Sequence, residues 1–313
     1  MDSARRSERT WLRAAALMLV TLGLAVLSAG VMVAVPFLVF ATVLGARRFP
    51  AVMAAVLAVL VTLGATARGG LWYIERGWTV VLAGCFVVLT MRWPGSRFLP
   101  RALGAVLGAF GLVAVFMVLH PSSWSMVDWL VSEGIMKSVS LAVGLVSGLD
   151  PGVDIPVSMI NTVFETAAHQ GRLFPALVGL SSIAGLGVAW WGYVRLAMGS
   201  DQGLGPVKDF RFNDHFVWLL LMGLTVIVLG LGDAWTRAGT NAVVFMGGLY
   251  ALRGVAVVLF FSGGISLFGF LALALGMLFL APVLITGALV IGVGDTWLDI
   301  RAKADTVGGG TDT

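Results

Sequence analysis

One arginine, Arg253, lies inside an apolar run of about 241–262 that carries no other charge. A charge within a membrane span costs from roughly 2.5 to above 10 kcal/mol, depending on the water and headgroups it can reach. Such a guanidinium is expected to face a bundle interior, a wet cavity or a carboxylate. Read as function, it binds an anion or gates a path, with Tyr250 beside it one helical turn earlier. Read as structure, it bonds backbone carbonyls, or the helix edge lies closer than the apolar run implies. Glu165, His169 and Arg172 are spaced four and three apart, so a helix would align them on one face. Acid, imidazole and guanidinium together can relay protons or bind a polar ligand. A solvated stripe on an interfacial helix gives the same spacing. Asp233, Arg237 and Asn241 flank the mouth ahead of the Arg253 run, where Asn241 also reads as a helix N-cap. Asp295, Asp299 and Arg301 form a polar group at the far end, read either as a second cluster or as a helix-end ion pair.

No catalytic or metal constellation accompanies these residues. The three histidines, His120, His169 and His215, are too far apart for metal-ligand spacing. Cys85, the single cysteine, lies in an apolar run and reads as a packed thiol. There is no P-loop, nucleophile elbow or dinucleotide fingerprint. A non-enzyme with no cofactor and no metal is the expectation.

The elements that must position these residues are membrane spans. Of 313 residues, 59% are hydrophobic and 12% charged, and the mean hydropathy is +0.98. A soluble surface needs about twice that charge. Apolar runs of roughly 20 residues, the length that crosses hydrocarbon, recur along the chain. Breaks at Gly, Pro and Arg divide them into stretches at about 14–30, 31–45, 51–67, 78–91, 102–119, 173–196, 215–231, 241–262 and 265–293, the last interrupted by Pro282. Between the fifth and sixth, residues 121–172 carry Asp128, Glu133, Asp150, Asp154 and Glu165 against Lys137 and Arg172. Asp128, Ser132, Lys137, Ser140, Gly144 and Ser147 fall on one helical side, with Trp124, Val127, Val131, Ile135 and Val139 mainly on the other. That pattern predicts a pair of amphipathic helices lying outside the membrane core. The expected fold is all-α: a polytopic transmembrane bundle of eight to ten spans with an external amphipathic pair. Its divisions are 1–120, 121–172, 173–300 and a tail at 301–313.

The basic excess, +4 with a pI near 9.7, sits in short loops rather than on one helical face, so nucleic acid is not expected. An N-terminus on the cytoplasmic side places Arg5, Arg6, Arg9, Arg13, Arg47, Arg48, Arg92, Arg97, Arg101, Arg195, Lys208 and Arg211 inside, as the positive-inside rule requires. The same count puts Arg301 and Lys303 outside, against that rule.

Four pieces of the C-terminal half resemble a known group. They are Arg172-Leu173-Phe174-Pro175-Ala176-Leu177, Asp209-Phe210-Arg211-Phe212, Tyr250-Ala251-Leu252-Arg253-Gly254 after Asn241, and the ending that runs from Gly292 to Arg301 through Asp295 and Asp299. In this order they resemble the YybS-like bacterial membrane proteins, the domain of unknown function 2232. The resemblance covers roughly 172–301; the N-terminal half matches only as a series of short spans. It implies a bacterial inner-membrane protein distantly similar to the substrate-binding subunits of energy-coupling-factor vitamin transporters. On that basis the leading expectation is solute binding or transport, with Arg253, Tyr250, Asn241, Asp233, Glu165 and His169 as candidate binding residues and a small solute as ligand. The alternative is a non-catalytic scaffold or assembly factor that docks other membrane proteins, or a second copy, through 121–172. A third reading is an intramembrane enzyme acting on lipid.

Overall fold

The computed structural model describes residues 17–18, 21–22, 24, 27–45, 48–64, 69–149, 157–199, 204–205, 207–263, 266–301 and 303. These residues are helical with short connections, and the chain divides into two compact units, residues 1–204 and 205–313. Much of the expected 14–30 stretch, the Asp150-Pro151-Gly152 break and most of the tail lie outside the described residues.

The first unit holds α1 (Ala29–Phe40, continued by a π-helical turn to Gly45), α2 (Phe49–Leu63), α3 (Gly70–Arg92) and α4 (Phe98–Leu119). After them come α5 (Ser122–Leu149), α6 (Val157–Arg172) and α7 (Phe174–Tyr193, continued by a π-helical turn to Met198). Helix α7 is its centre. It is apolar or small on every side, as a helix enclosed by others must be, and most of its residues are buried. Its small residues admit neighbours: Gly185 lies against the Met32 backbone of α1, and Ser182 Oγ accepts a 2.9 Å hydrogen bond from Trp78 Nε1 of α3. Pro36 sits within α1 and has no N–H to offer the Met32 carbonyl one turn back. At one end of α7, Phe40, Phe86 and Trp190 pack with ring centroids 5.2–5.6 Å apart, and Tyr193 Oη donates to the Gly45 carbonyl at 3.0 Å. At the other, Glu75 accepts from the Ser28 backbone N–H at 2.8 Å. Arg76 bonds Glu75 at 3.1 Å and the Thr62 carbonyl at 2.9 Å, joining the ends of α1 and α2 to α3. The expected start of this span at 78 is therefore corrected to Gly70. Trp72 to Trp78 are helical, and Arg76 lies over the Trp72 ring at 4.2 Å.

Helix α5 packs on α3, α4 and α6. It buries Val131 and exposes Ser132, Lys137 and Ser140, as expected, but Trp124 of the expected apolar side is exposed and Leu130 is buried in addition.

The second unit holds α8 (Val217–Leu229), α9 (Asp233–Phe261) and α10 (Leu267–Leu298). Helix α10 is kinked at Leu280, where φ is −122° and ψ is 20°, just before Pro282. Helix α9 begins after Gly232 (φ 105°), eight residues before the expected start. Asn241 is accordingly no cap: it lies inside α9 and donates to the Arg237 carbonyl at 2.9 Å. At about 1.5 Å per residue α9 is roughly 43 Å long, enough to cross hydrocarbon alone.

Its neighbours share it lengthwise. Gly239 of α9 meets Gly223 and Ile227 of α8, and Gly223 meets Val243. Farther along α9, Gly247 meets Leu289 of α10, Gly254 meets Ala288, and the Tyr250 carbonyl meets Gly292. Positions 239, 243, 247, 250 and 254 are spaced 4, 4, 3 and 4, so they form one helical stripe. Helices α8 and α10 thus stack along a single face of α9, the N-terminus of one near the C-terminus of the other.

Five helical segments, Gly70–Arg92, Phe98–Leu119, Phe174–Met198, Asp233–Phe261 and Phe279–Leu298, are long and apolar enough to cross a membrane. Shorter apolar helices occupy Ala29–Gly45, Phe49–Leu63 and Asp214–Leu229. The polytopic helical architecture expected from the sequence is the one found.

The contact of α9 with α10 depends on missing side chains. A Cβ on Gly254 would overlap the Ala288 carbonyl, and one on Gly292 would overlap that of Tyr250. Gly254→Ala or Gly292→Ala should each lower stability by about 1–3 kcal/mol, the usual cost of overpacking. Thermal unfolding in detergent checks this, with Gly287→Ala, where a Cβ meets open space, as the neutral control.

Candidate functional site

Arg253 is buried, 2% exposed, and each of its three guanidinium nitrogens donates one hydrogen bond. Nε donates to Asp295 Oδ2 at 2.9 Å, one terminal nitrogen to Asp214 Oδ1 at 2.6 Å, and the other to the Asp295 carbonyl at 3.3 Å. Asp295, 0% exposed, also accepts from Arg301 at 2.7 Å. Arg301, 3% exposed, donates in addition to the carbonyls of Lys208 and Phe210 at 2.8 and 3.2 Å. Two arginines and two aspartates make the network formally neutral. Its members differ in exposure: the Asp214 side chain is 63% exposed, whereas the other three are sealed.

Local chain geometry builds this arrangement. Helix α10 ends at Asp299 in a left-handed turn with φ +48°, a conformation that aspartate tolerates better than most residues. That turn returns the chain so that Arg301 meets Asp295 six residues earlier. Asp299 itself pairs with Arg211 at 3.4 Å. Asp214 precedes α8 in a 3₁₀ turn capped by Asn213, whose side chain accepts from the His215 N–H at 3.0 Å. Phe212 packs edge-on to the Tyr250 ring at 5.1 Å and lies 5.5 Å from the Arg253 guanidinium carbon. The Tyr250 hydroxyl is buried and has no hydrogen-bond partner in bonding geometry among the described residues. Thr296 stands beside it and sends its own hydroxyl to the Gly292 carbonyl at 3.3 Å.

The helix dipoles favour both arginines and Asp214, and oppose Asp295 in the last turn of α10. The C-terminus of α10 carries partial negative charge, and both arginines gather there. The N-terminus of α8 carries partial positive charge, and Asp214 precedes it.

The predicted candidates separate accordingly. Arg253 and Tyr250 are in the network's immediate surroundings. Asn241 lies twelve residues back on α9, about 18 Å away, and Asp233 about 30 Å away at the helix start, where its charge favours the N-terminal dipole. Glu165 and His169 are exposed on α6 in the first unit, as is Arg172. Asp295 and Arg301 do pair, but as part of the Arg253 network rather than as a separate end cluster. Asp214 was missed altogether. It sits in a polar run beside His215, and only proximity in space links it to Arg253. Among the described residues no group of His, Cys, Asp or Glu could hold a metal ion.

The family described as predicted membrane protein, DUF2232, matches residues 13–296. The chain belongs to this family. The match extends through the N-terminal half, beyond the stretch where short motifs had suggested it. No curated protein and no solved structure matches the chain. Three of the four motif pieces that pointed to DUF2232 meet in the network. Phe212 comes from the first of them, Tyr250, Arg253 and Gly254 from the second, and Gly292, Asp295 and Arg301 from the third.

Removing Asp295 would leave Arg301 buried without a carboxylate and Arg253 with the exposed Asp214 alone. Asp295→Ala should cost about 3–5 kcal/mol, as expected for breaking a buried pair from one side. Asp214→Ala, which removes an exposed carboxylate, should cost about 1 kcal/mol or less. Parallel melting curves in detergent check the asymmetry; equal losses would mean that Asp295 is not the hub.

Proposed function

We propose that this DUF2232 protein is a non-enzymatic, multi-pass protein of the bacterial inner membrane, with a cytoplasmic N-terminus, that binds or transports a small anionic solute. The observation that carries the reading is the network of Arg253, Asp295, Arg301 and Asp214 at the junction of α8, α9 and α10. Charges this deep in apolar helices are costly and tend to mark a substrate or ion path. Helices that end within the membrane's depth, with opposite dipole ends facing a polar cluster, are a recurrent way to build a transporter site. Asp214 is the replaceable member, because it is exposed while its partner Arg253 is sealed. A solute carboxylate or phosphate would take its place on the guanidinium fork, with the unpartnered Tyr250 hydroxyl nearby as a further donor. Asn241 and Asp233, far along α9, would then belong to an approach path rather than to the binding contact, and Glu165 and His169 have no part in it.

The cheap test is mass spectrometry of small molecules that co-purify with the protein in mild detergent. A stoichiometric anionic solute should accompany the native chain and fall at least about tenfold with Arg253→Lys, which keeps the charge but loses the fork. Asp214→Asn should retain it. If Arg253→Lys holds the same complement of small molecules as the native chain, the reading fails.

A scaffold remains the second reading, supported by α5, which exposes Trp124, Met126 and Trp129 on one stretch.

A further inference from the structure

The first unit contains a cavity of about 440 Å³ where the two π-helical turns come together. Leu44, Gly45 and Arg48 line one side of it, and Tyr193, Ala197 and Met198 the other. The Tyr193 to Gly45 hydrogen bond ties the two sides at 3.0 Å. Neither the family match nor the reading of the Arg253 network uses this place.

Its setting is one-signed. Arg101 lies over the Trp190 ring at 5.1 Å and bonds Thr90 at 3.3 Å, which places the end of α3 and the start of α4 at the same end of the unit as Trp190 and Tyr193. Arg48, Arg92, Arg97, Arg101 and Arg195 therefore share that end. Residues 41–52, 88–104 and 188–199, which form it, include no aspartate or glutamate. Arg92 and Arg195 stack on Trp93 and Trp191 at 5.3 and 5.7 Å, as aromatics and arginines do at headgroup level. Arg48 is exposed, reaches across to Gly199 at the end of α7, and has no ion pair among the described residues. The rim beside it is apolar, with Val43, Phe49 and Met198 all exposed.

A basic side chain at the mouth of a cavity, beside an exposed apolar rim, fits an amphiphile better than a free ion. We propose that this cavity is a binding site for an anionic phospholipid, its phosphate on Arg48, its headgroup against the hydrogen-bonded Gly45 and Tyr193 pair, and its acyl chains along Phe49 and Met198. Basic residues at a membrane surface attract such lipids by an amount equal to roughly a fivefold preference per charge.

The test is native mass spectrometry of the full chain in mild detergent, titrated with phosphatidylglycerol or with phosphatidylcholine. The native chain should retain one phosphatidylglycerol in preference to phosphatidylcholine. Arg48→Gln should lose about fivefold in that retention, while Lys137→Gln, on α5, should not change it. Thermal unfolding of Arg48→Gln without added lipid separates a folding defect from a lost site; a loss of retention with an unchanged midpoint supports the proposal. Equal retention by Arg48→Gln and the native chain would overturn it, as would equal retention of the two lipids. Displacement of the lipid by millimolar inorganic phosphate would also overturn it, by assigning the cavity to a soluble anion.

Discussion

A guanidinium cannot shed its charge inside a protein, so placing Arg253 among apolar helices obliges the rest of the second unit to supply an anion. Asp295 is that anion. It is sealed from solvent and shared between Arg253 and Arg301, and its own backbone carbonyl takes one more Arg253 proton. The contact requires α10 to approach α9 at backbone distance, which Gly254 and Gly292 permit. It also requires the chain after α10 to double back, which the left-handed Asp299 permits. Glycine spacing, turn conformation and charge placement thus serve one constraint.

That constraint explains why two helices can end beside the middle of a third. A helix end leaves carbonyl or amide groups unpaired, and in hydrocarbon each such group costs several kcal/mol. Here the N-terminus of α8 and the C-terminus of α10 meet at the network. Arg301 covers carbonyls of the 208–210 connection, Arg253 covers the Asp295 carbonyl, and Asn213 caps the turn into α8. The same charges that look like a ligand site therefore also bind backbone carbonyls of α10 and of the 208–210 connection. The structural and functional readings of Arg253, posed as rivals at the level of sequence, act on the same atoms.

The architecture was legible because it is written in long apolar runs and their breaks, which depend only on neighbouring residues. Helix starts were less so. Glu75 and Arg76 fall before the expected span start at 78, yet they hold three helix ends together inside α3. Asn241 looked like a cap because the apolar run begins there, although the helix starts at Gly232 and Asp233. For the site, Arg253 and Tyr250 were legible as an anomaly and its turn-mate. Asp214 was not, since its 39-residue separation from Arg253 leaves no periodic trace. The motif pieces around Phe212, Arg253 and Asp295 were each noticed, but their convergence is a property of the fold.

The basic residues show why a charge count along the chain broke down at its end. The positive-inside rule weighs charges that remain free in loops near the membrane surface. Arg301 is not such a charge: it is buried, paired with Asp295 and bonded to two carbonyls. Counting it as a loop residue assigned it a vote on orientation that its burial removes. The arginines at the basic end of the first unit are different. Arg92 and Arg97 are exposed, and no acid shares their segments. Arg101, buried against Phe86 and Trp190, is steadied by ring faces rather than by a carboxylate and so keeps its positive field at that end. Orientation is therefore argued more securely from Arg92 and Arg97, exposed in segments without an acid, than from Arg301, which burial and Asp295 have already neutralised.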